Sequence, residues 1–484
     1  MCGIAGFFGT FEPELLARMG SMIAHRGPDD VGEWHEPAAG VGFVQRRLSI
    51  IDLSPRGKQP MFYTPTGGAF TDAALVTRLR DPLAVVFNGE VYNYRELRVE
   101  LEGKGCRFTT TGDTEVLLAA YAVWGDDCLK KFNGMFAFAL WDSARRRLVL
   151  ARDAMGVKPF YLARTPRGLL FASELKALLC AKDLDRGLDP VALKHYVSYL
   201  YSPAPRTILS AVRKLDPGSV LVLGAGGAEK TWRFAEPPFT QPVRAINETD
   251  ACEQLRHLLG QAVERQMVAD VPVGAFLSGG LDSSSLVALA RQHAAGGRID
   301  CFTIGFRHGS AYKEGVVEDL PYAERVAQHL GQPLHTIWVG SEMAQGFERM
   351  IWQLDEPLAD PAALNVLYIC RLARQHGMKV LLSGAGGDDI FTGYRRHYAL
   401  QQERWWGWLP KPARRALRGL SEMLPQSIHS AGASPPDCAT PIRIRSGGWP
   451  DIFSGSIRKL SPDCFHRKCR RPTAAPIRCS LAWI

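Results

Sequence analysis

The hydrophobic pattern of this 484-residue chain changes period near residue 249. Ahead of that point the apolar residues come in short runs bounded by Gly, Asn and Asp. Examples are Ala84-Val85-Val86-Phe87, Phe136-Ala137-Phe138-Ala139-Leu140-Trp141 and Leu148-Val149-Leu150. Runs of this kind suit buried strands. Helical spacing is confined to residues 96–101 and 115–124, so the front region reads as layered α+β. Behind that point the spacing predicts helices over 250–267, 281–294, 322–330 and 363–375. They alternate with strands over 273–277, 301–306, 335–339 and 379–382. Such alternation implies a parallel, doubly wound sheet, whose ligands bind at the carboxyl ends of the strands. The chain therefore divides into a front domain over 2–185, a connecting segment over 186–248, a second domain over 249–426, and a tail over 427–484. Residues 63–82 read as a surface loop, and a Gly/Pro-rich linker spans about 224–242. There is no internal repeat.

Composition excludes several classes of function. No apolar run reaches the length of about 18 residues that a membrane span needs. The start lacks a basic stretch before an apolar run, so a secretory signal is not expected and the expected location is cytoplasmic. In that setting the eleven cysteines are reduced thiols, and their spacing gives no metal signature: Cys464 and Cys469 lack a second pair. The net charge of +9 is mostly a property of the tail, where nine Lys/Arg stand against three Asp, a balance of +6. No aromatic-basic pattern accompanies it, so nucleic acid is not an expected partner. The tail has no amphipathic period, and a frame-shifted or truncated reading of a longer gene accounts for it.

The chemistry starts at Met1-Cys2-Gly3-Ile4. Removal of Met1 leaves a thiol and a free α-amine on one residue, and the amine can act as the thiol's base near neutral pH. Other segments line up behind it. They are Arg47-Leu48-Ser49-Ile50-Ile51-Asp52, Asn88-Gly89-Glu90, Thr111-Gly112-Asp113-Thr114-Glu115, and Arg152-Asp153 leading to Gly156-Val157-Lys158-Pro159. A thiol attacking a carboxamide makes an oxyanion, which the Asn88 amide and the Gly89 N–H can stabilise. Arg47 can fork onto an α-carboxylate, and Asp113 can pair with an α-ammonium.

A second constellation, Phe276-Leu277-Ser278-Gly279-Gly280-Leu281-Asp282-Ser283-Ser284, joins a strand to a helix. Glycines there let the backbone curl around phosphate, and a helix N-terminus favours negative charge. No Lys follows the glycines, so this is not a Walker P-loop.

On these motifs residues 2–180 resemble the class II glutamine amidotransferase domain of the N-terminal-nucleophile family. The loop at 276–284 is similar to that of the ATP-pyrophosphatases. Together, over about 2–400, they resemble glutamine-hydrolysing asparagine synthetases. The resemblance implies an α+β N-terminal-nucleophile sandwich in αββα layers, followed by an α/β doubly wound parallel-sheet domain. It implies Cys2 as nucleophile, Asn88 and Gly89 as the oxyanion site, and Arg47, Ile51, Asn88, Gly89, Glu90 and Asp113 around glutamine. ATP as co-substrate would meet Phe276, Leu277, Ser278, Gly279, Gly280, Asp282, Ser283, Ile304, Ser383 and Gly384, with Mg²⁺ held at Asp282 and Asp388. Asp355-Glu356-Pro357 and Asp360 match an element near the family's acceptor site.

The implied reaction is ATP-driven amidation of a carboxylate, with aspartate as the first acceptor to consider. The partners are then small molecules, with no membrane, and a homodimer is left open. Two departures matter. Ala385 replaces an acid of the family, which turns attention to other carboxylates, such as a sugar acid of a surface polysaccharide. The family's late Pro-Phe-Leu-Asp element and lysine have no counterpart before the tail, which leaves a pseudo-synthetase retaining only glutaminase activity as a further alternative.

Overall fold

The computed structural model describes residues 1–79, 81–224, 226–236, 245–307 and 319–391, with scattered positions from 393 to 414. The tail over 427–484, and with it the expectation of a frame shift, lies outside the described residues. Two compact units divide the chain. Among the described residues, one comprises Met1–Gly280 with Ser284–Leu382, and the other Leu281–Ser283 with those from Ser383 onward.

Two antiparallel sheets form the front of the first unit. In one, the strands run from edge to edge as Val212–Lys214, Tyr161–Thr165, Gly168–Ala172, Gly3–Gly9, Val41–Arg47 and Asp30–Glu36. The other runs Glu229–Arg233, Ser219–Gly224, Arg147–Arg152, Gly134–Asp142, Leu83–Val91, Met61–Thr64 and Gly68–Phe70. Side chains alternate between faces along each strand. Val85, Phe87 and Leu140 thus face the helices, whereas Ala84, Val86 and Ala139 meet Ile4, Phe43 and Phe171 between the sheets. The helix Asp113–Trp124 is apolar nearly all round, and Asp113 through Tyr121 are buried, as a helix clamped inside a layer must be. With the helix Glu14–Met22 against the other sheet, the layers stack as αββα.

The first part of the loop expected over 63–82 instead joins the second sheet: Met61–Thr64 and Gly68–Phe70 form a hairpin at its edge, followed by non-strand residues with the short turn Ala73–Arg78. Likewise residues 186–248 do more than connect. They supply the edge strand Val212–Lys214, and the hairpin Ser219–Gly224 with Glu229–Arg233 extends the second sheet beyond Arg147–Arg152. The glycines between those two strands form the hairpin turn and do not open a linker there.

The third sheet is parallel, in the order Leu334–Val339, Cys301–Phe306, Val273–Phe276, Val380–Leu382. Helices cover both faces. Leu277, Val287, Ala323 and Ala327 pack on one, while Phe302, Ile369 and Ala373 pack on the other. Winding reverses between Val273–Phe276 and Val380–Leu382. Such a reversal opens a crevice beyond the carboxyl ends of two adjacent strands. The two glycine-rich segments, Ser278-Gly279-Gly280 and Ser383-Gly384, follow these two strands.

Candidate active site

Cys2 immediately precedes the strand Gly3–Gly9, whose pairing with Val41–Arg47 brings it beside Leu48. The Leu48 N–H points at Sγ from 3.4 Å, and Arg26 Nε donates to the Cys2 carbonyl at 2.9 Å. Burial pushes the thiol up, while the Leu48 N–H and the terminal ammonium pull it down. The terminal amine, here on Met1, is held down to about 5 by burial, with Arg26 and Lys158 acting the same way.

Asn88 lies in the strand Leu83–Val91, only 1% exposed, and its Oδ1 and Nδ2 are both buried without a hydrogen-bond partner. Buried amides are nearly always paired, so an unpaired one is free to meet a polar ligand. Gly89 has no room for a side chain, because a Cβ there would run into the Met135 carbonyl. Its missing side chain lets the neighbouring strand pack this closely. The Glu90 Oε2 is also buried and unpartnered, and burial together with the Asp113 charge raises that carboxyl well above the usual range. Asp113 opens its helix and accepts the Val91 N–H at 2.9 Å, and burial lifts its carboxyl to about 6.

Two expected residues need qualification. Arg47 spends Nη1 on the Ser54 carbonyl at 3.0 Å and Nη2 on the Asp52 carbonyl, so its terminal nitrogens hold the 52–57 loop in place. Gly57 is small because a Cβ there would overlap that guanidinium. Ile51 packs half-buried against the helix-covered core. Glu115 is structural: completely buried, it accepts the backbone N–H groups of Ala69, Thr109 and Thr110 and so fixes the approach to Asp113.

The segment after Arg152 holds a group to which no role was assigned. Asp153 accepts the N–H groups of Val157 and Lys158 at 3.0 Å each, and Arg152 donates to the carbonyls of Gly156 and Lys158. The turn carries Lys158, lowered by burial, into the field of Cys2 and Glu90. Its place in Gly156-Val157-Lys158-Pro159 was visible; its proximity to Cys2 was not. Arg26 and Glu174 carried no sequence signal, since their pairing spans 148 residues.

In the first unit, Gly279 has φ +82° and lies so close to Tyr322 and Ala323 that any side chain would collide. Ser278 Oγ accepts the Gly280 N–H at 3.3 Å, curling the loop. Phe276 and Ile304 share the face packed by Ile369 and Ala373. The Leu277 side chain is buried in the opposite core, so it can offer a nucleotide only its backbone. In the second unit, Gly384 sits against Ser283, where a Cβ would come within 2.9 Å of its N–H, and Gly387 touches the Asp282 carboxylate. Ser383 Oγ accepts the Ala385 N–H at 3.1 Å. Asp282 therefore abuts the residue preceding Asp388. That suits Mg²⁺, which takes one or two protein carboxylates and draws its other oxygens from phosphates and water. Among the described residues no cluster of three or more acidic, His or Cys groups forms a protein-only metal cage.

The glutamine amidotransferase domain family matches residues 1–234, and the asparagine synthase family matches residues 254–441. The front half is thus a glutamine amidotransferase domain. Asparagine synthetase (glutamine-hydrolysing) 1 of Bacillus subtilis is 34% identical over 467 residues, covering 95% of this chain and 69% of its own. A Mycobacterium tuberculosis protein, named as a candidate asparagine synthetase (glutamine-hydrolysing), is 38% identical over 436 residues, covering 88% of this chain. The chain spans 64% of the length of that relative. Among solved structures, the B. subtilis glutamine phosphoribosylpyrophosphate amidotransferase is similar at a TM-score of 0.36 and 15% identity, over 79% of this chain and 91% of its own. The chain belongs to the glutamine-hydrolysing asparagine synthetase family.

Proposed function

We propose that this chain hydrolyses glutamine at Cys2 and uses the released ammonia to amidate a carboxylate activated by ATP. The observation that carries the first step is the unpartnered Asn88 amide on the strand whose Glu90 lies in the field of the Cys2 thiol. Cys2 Sγ attacks the carboxamide carbon of glutamine. Its proton passes through the terminal amine to the leaving nitrogen, and ammonia departs. Asn88 Nδ2 and the Gly89 N–H face the oxyanion, each such donor contributing about 3–4 kcal/mol in the transition state. Water then hydrolyses the thioester to glutamate.

In the second half, the acceptor carboxylate would attack the α-phosphate of ATP, and pyrophosphate would leave. Ammonia would then displace AMP from the acyl-adenylate. Each glycine-rich segment would bind phosphate through its own backbone: Ser278-Gly279-Gly280 in the first unit, and Ser383-Gly384 beside Asp282 and Ser283 in the second, where Asp282 and Asp388 would be carboxylates for Mg²⁺. When bound, the metal neutralises phosphate charge.

Aspartate is the first acceptor to consider, from the family. Ala385 favours a different carboxylate, since its methyl group neither carries charge nor accepts a hydrogen bond. ATP–pyrophosphate exchange with aspartate, galacturonate and glucuronate tests both. Exchange with aspartate alone supports an asparagine synthetase, and exchange with a sugar acid alone supports the other acceptor. No exchange with any of them would refute the ligase half of the proposal.

Asp113 is assigned to the α-ammonium of glutamine. A charge pair of this kind binds ground and transition states alike. Asp113→Ala is therefore expected to raise KM for glutamine far more than it lowers kcat. In the parent protein KM should rise as pH falls through about 6, where the carboxyl takes up a proton and loses its attraction for the ammonium. An unchanged KM in the variant would remove Asp113 from the pocket.

A further inference from the structure

We propose that Glu174 is a positioning residue through which the helix end at Trp352–Glu356 sets the geometry of Cys2. The proposal rests on the glutaminase reading and deepens it.

A continuous line of buried charge joins the two. Arg26 Nε holds the Cys2 carbonyl at 2.9 Å, and its Nη1 donates to Glu174 Oε1 at 2.9 Å. Glu174 Oε2 pairs with Lys176 Nζ at 2.6 Å, and that ammonium reaches Asp355 Oδ1 at 3.3 Å. Each of these four side chains is at least 91% buried. Lys176 Nζ also donates to the Trp352 carbonyl at 2.8 Å and lies over the Trp352 ring, whose edge meets His25. His25 in turn contacts Glu174 at 3.0 Å. Next along the chain, Glu356 pairs with Lys214 at 2.6 Å and accepts the Tyr161 hydroxyl at 3.0 Å. The helix end is therefore docked on the strand and turn elements of the front half by buried ion pairs, hydrogen bonds and the Trp352 ring.

Asp355 marks this as a constrained joint. It ends the helix Phe347–Leu354 with φ +69°, a conformation that non-glycine residues rarely adopt. Its carboxylate accepts the N–H groups of both Leu175 and Lys176. Strain of this kind persists only where the surroundings over-determine it. None of the four charged groups touches the Cys2 thiol. Arg26 instead grips the nucleophile's own carbonyl, so a shift of Asp355 is passed through Lys176 and Glu174 to the backbone that carries Sγ. A residue of the second half thereby reaches the thiol of the first without crossing the glutamine pocket.

The test is glutamine hydrolysis by the full chain, with rates expressed per Cys2 titrated by an electrophilic glutamine analogue, so that misfolded protein drops out. Lys176→Met and Asp355→Asn are each expected to lower kcat about 10-fold, the scale of a small misplacement of a reacting group. KM should stay within about two-fold, because neither residue meets glutamine. Lys176→Arg should restore kcat. The double variant should fall no further than either single, since both act on one line. It removes both buried charges together and is the variant to use if a single change leaves an unfoldable lone charge. An unchanged kcat per titrated site in the variants, or a rise in KM alone, overturns the inference. A parent protein that titrates but does not hydrolyse glutamine overturns the glutaminase reading and this inference with it.

Discussion

Cys2→Ala is expected to abolish release of glutamate from glutamine, a loss of about ten-thousand-fold or more, as when a nucleophile is removed from a concerted catalytic unit. The fold should survive. Sγ makes only long contacts with Leu48, and the strand Gly3–Gly9 is held by backbone pairing on both sides, to Val41–Arg47 and to Gly168–Ala172. Steady-state glutamate release, with thermal melting as the control for folding, checks it. A variant that hydrolyses glutamine at the parent rate would show that another group attacks the carboxamide.

Asn88→Ala should be the next most damaging change. The Asn88 amide is buried with both polar atoms unpaired, which costs stability in the free protein and is repaired only when a ligand arrives. Losing one oxyanion donor lowers kcat by about 100- to 1000-fold, with little change in KM. The variant should also be no less stable than the parent, because an unsatisfied amide has been removed. A drop in melting temperature with kcat intact would assign Asn88 to the scaffold and leave the oxyanion to Gly89 alone.

The fold was legible wherever local chemistry decided it. The strands at 84–87, 136–141 and 148–150 announced themselves as apolar runs, and the alternating pattern after 249 required a parallel sheet. Two edge hairpins were misjudged for related reasons. Met61–Thr64 and Gly68–Phe70 are short and interrupted by a Thr/Gly turn, so their period never develops. Glu229–Arg233 is a mostly exposed edge strand, and its polar side chains beside a glycine-rich turn read as linker. In the candidate site, Cys2, Asn88, Gly89 and Asp113 could be proposed from sequence because their chemistry sits inside short segments. Arg26, Glu174 and Asp355 were invisible as a group, since a buried ion line across 148 and 180 residues is a property of the packed chain. Arg47 shows a second duty that its residue type did not announce: two of its five N–H groups hold carbonyls of its own loop.

The central claim is that the front half is a glutaminase whose nucleophile is a processed, N-terminal Cys2. Mass mapping after reaction with an electrophilic glutamine analogue tests it most directly. The account predicts a single adduct per chain, on a peptide that begins with Cys2 and has lost Met1, blocked by excess glutamine. An adduct on another cysteine, or an unmodified Cys2 in protein that hydrolyses glutamine, would contradict it.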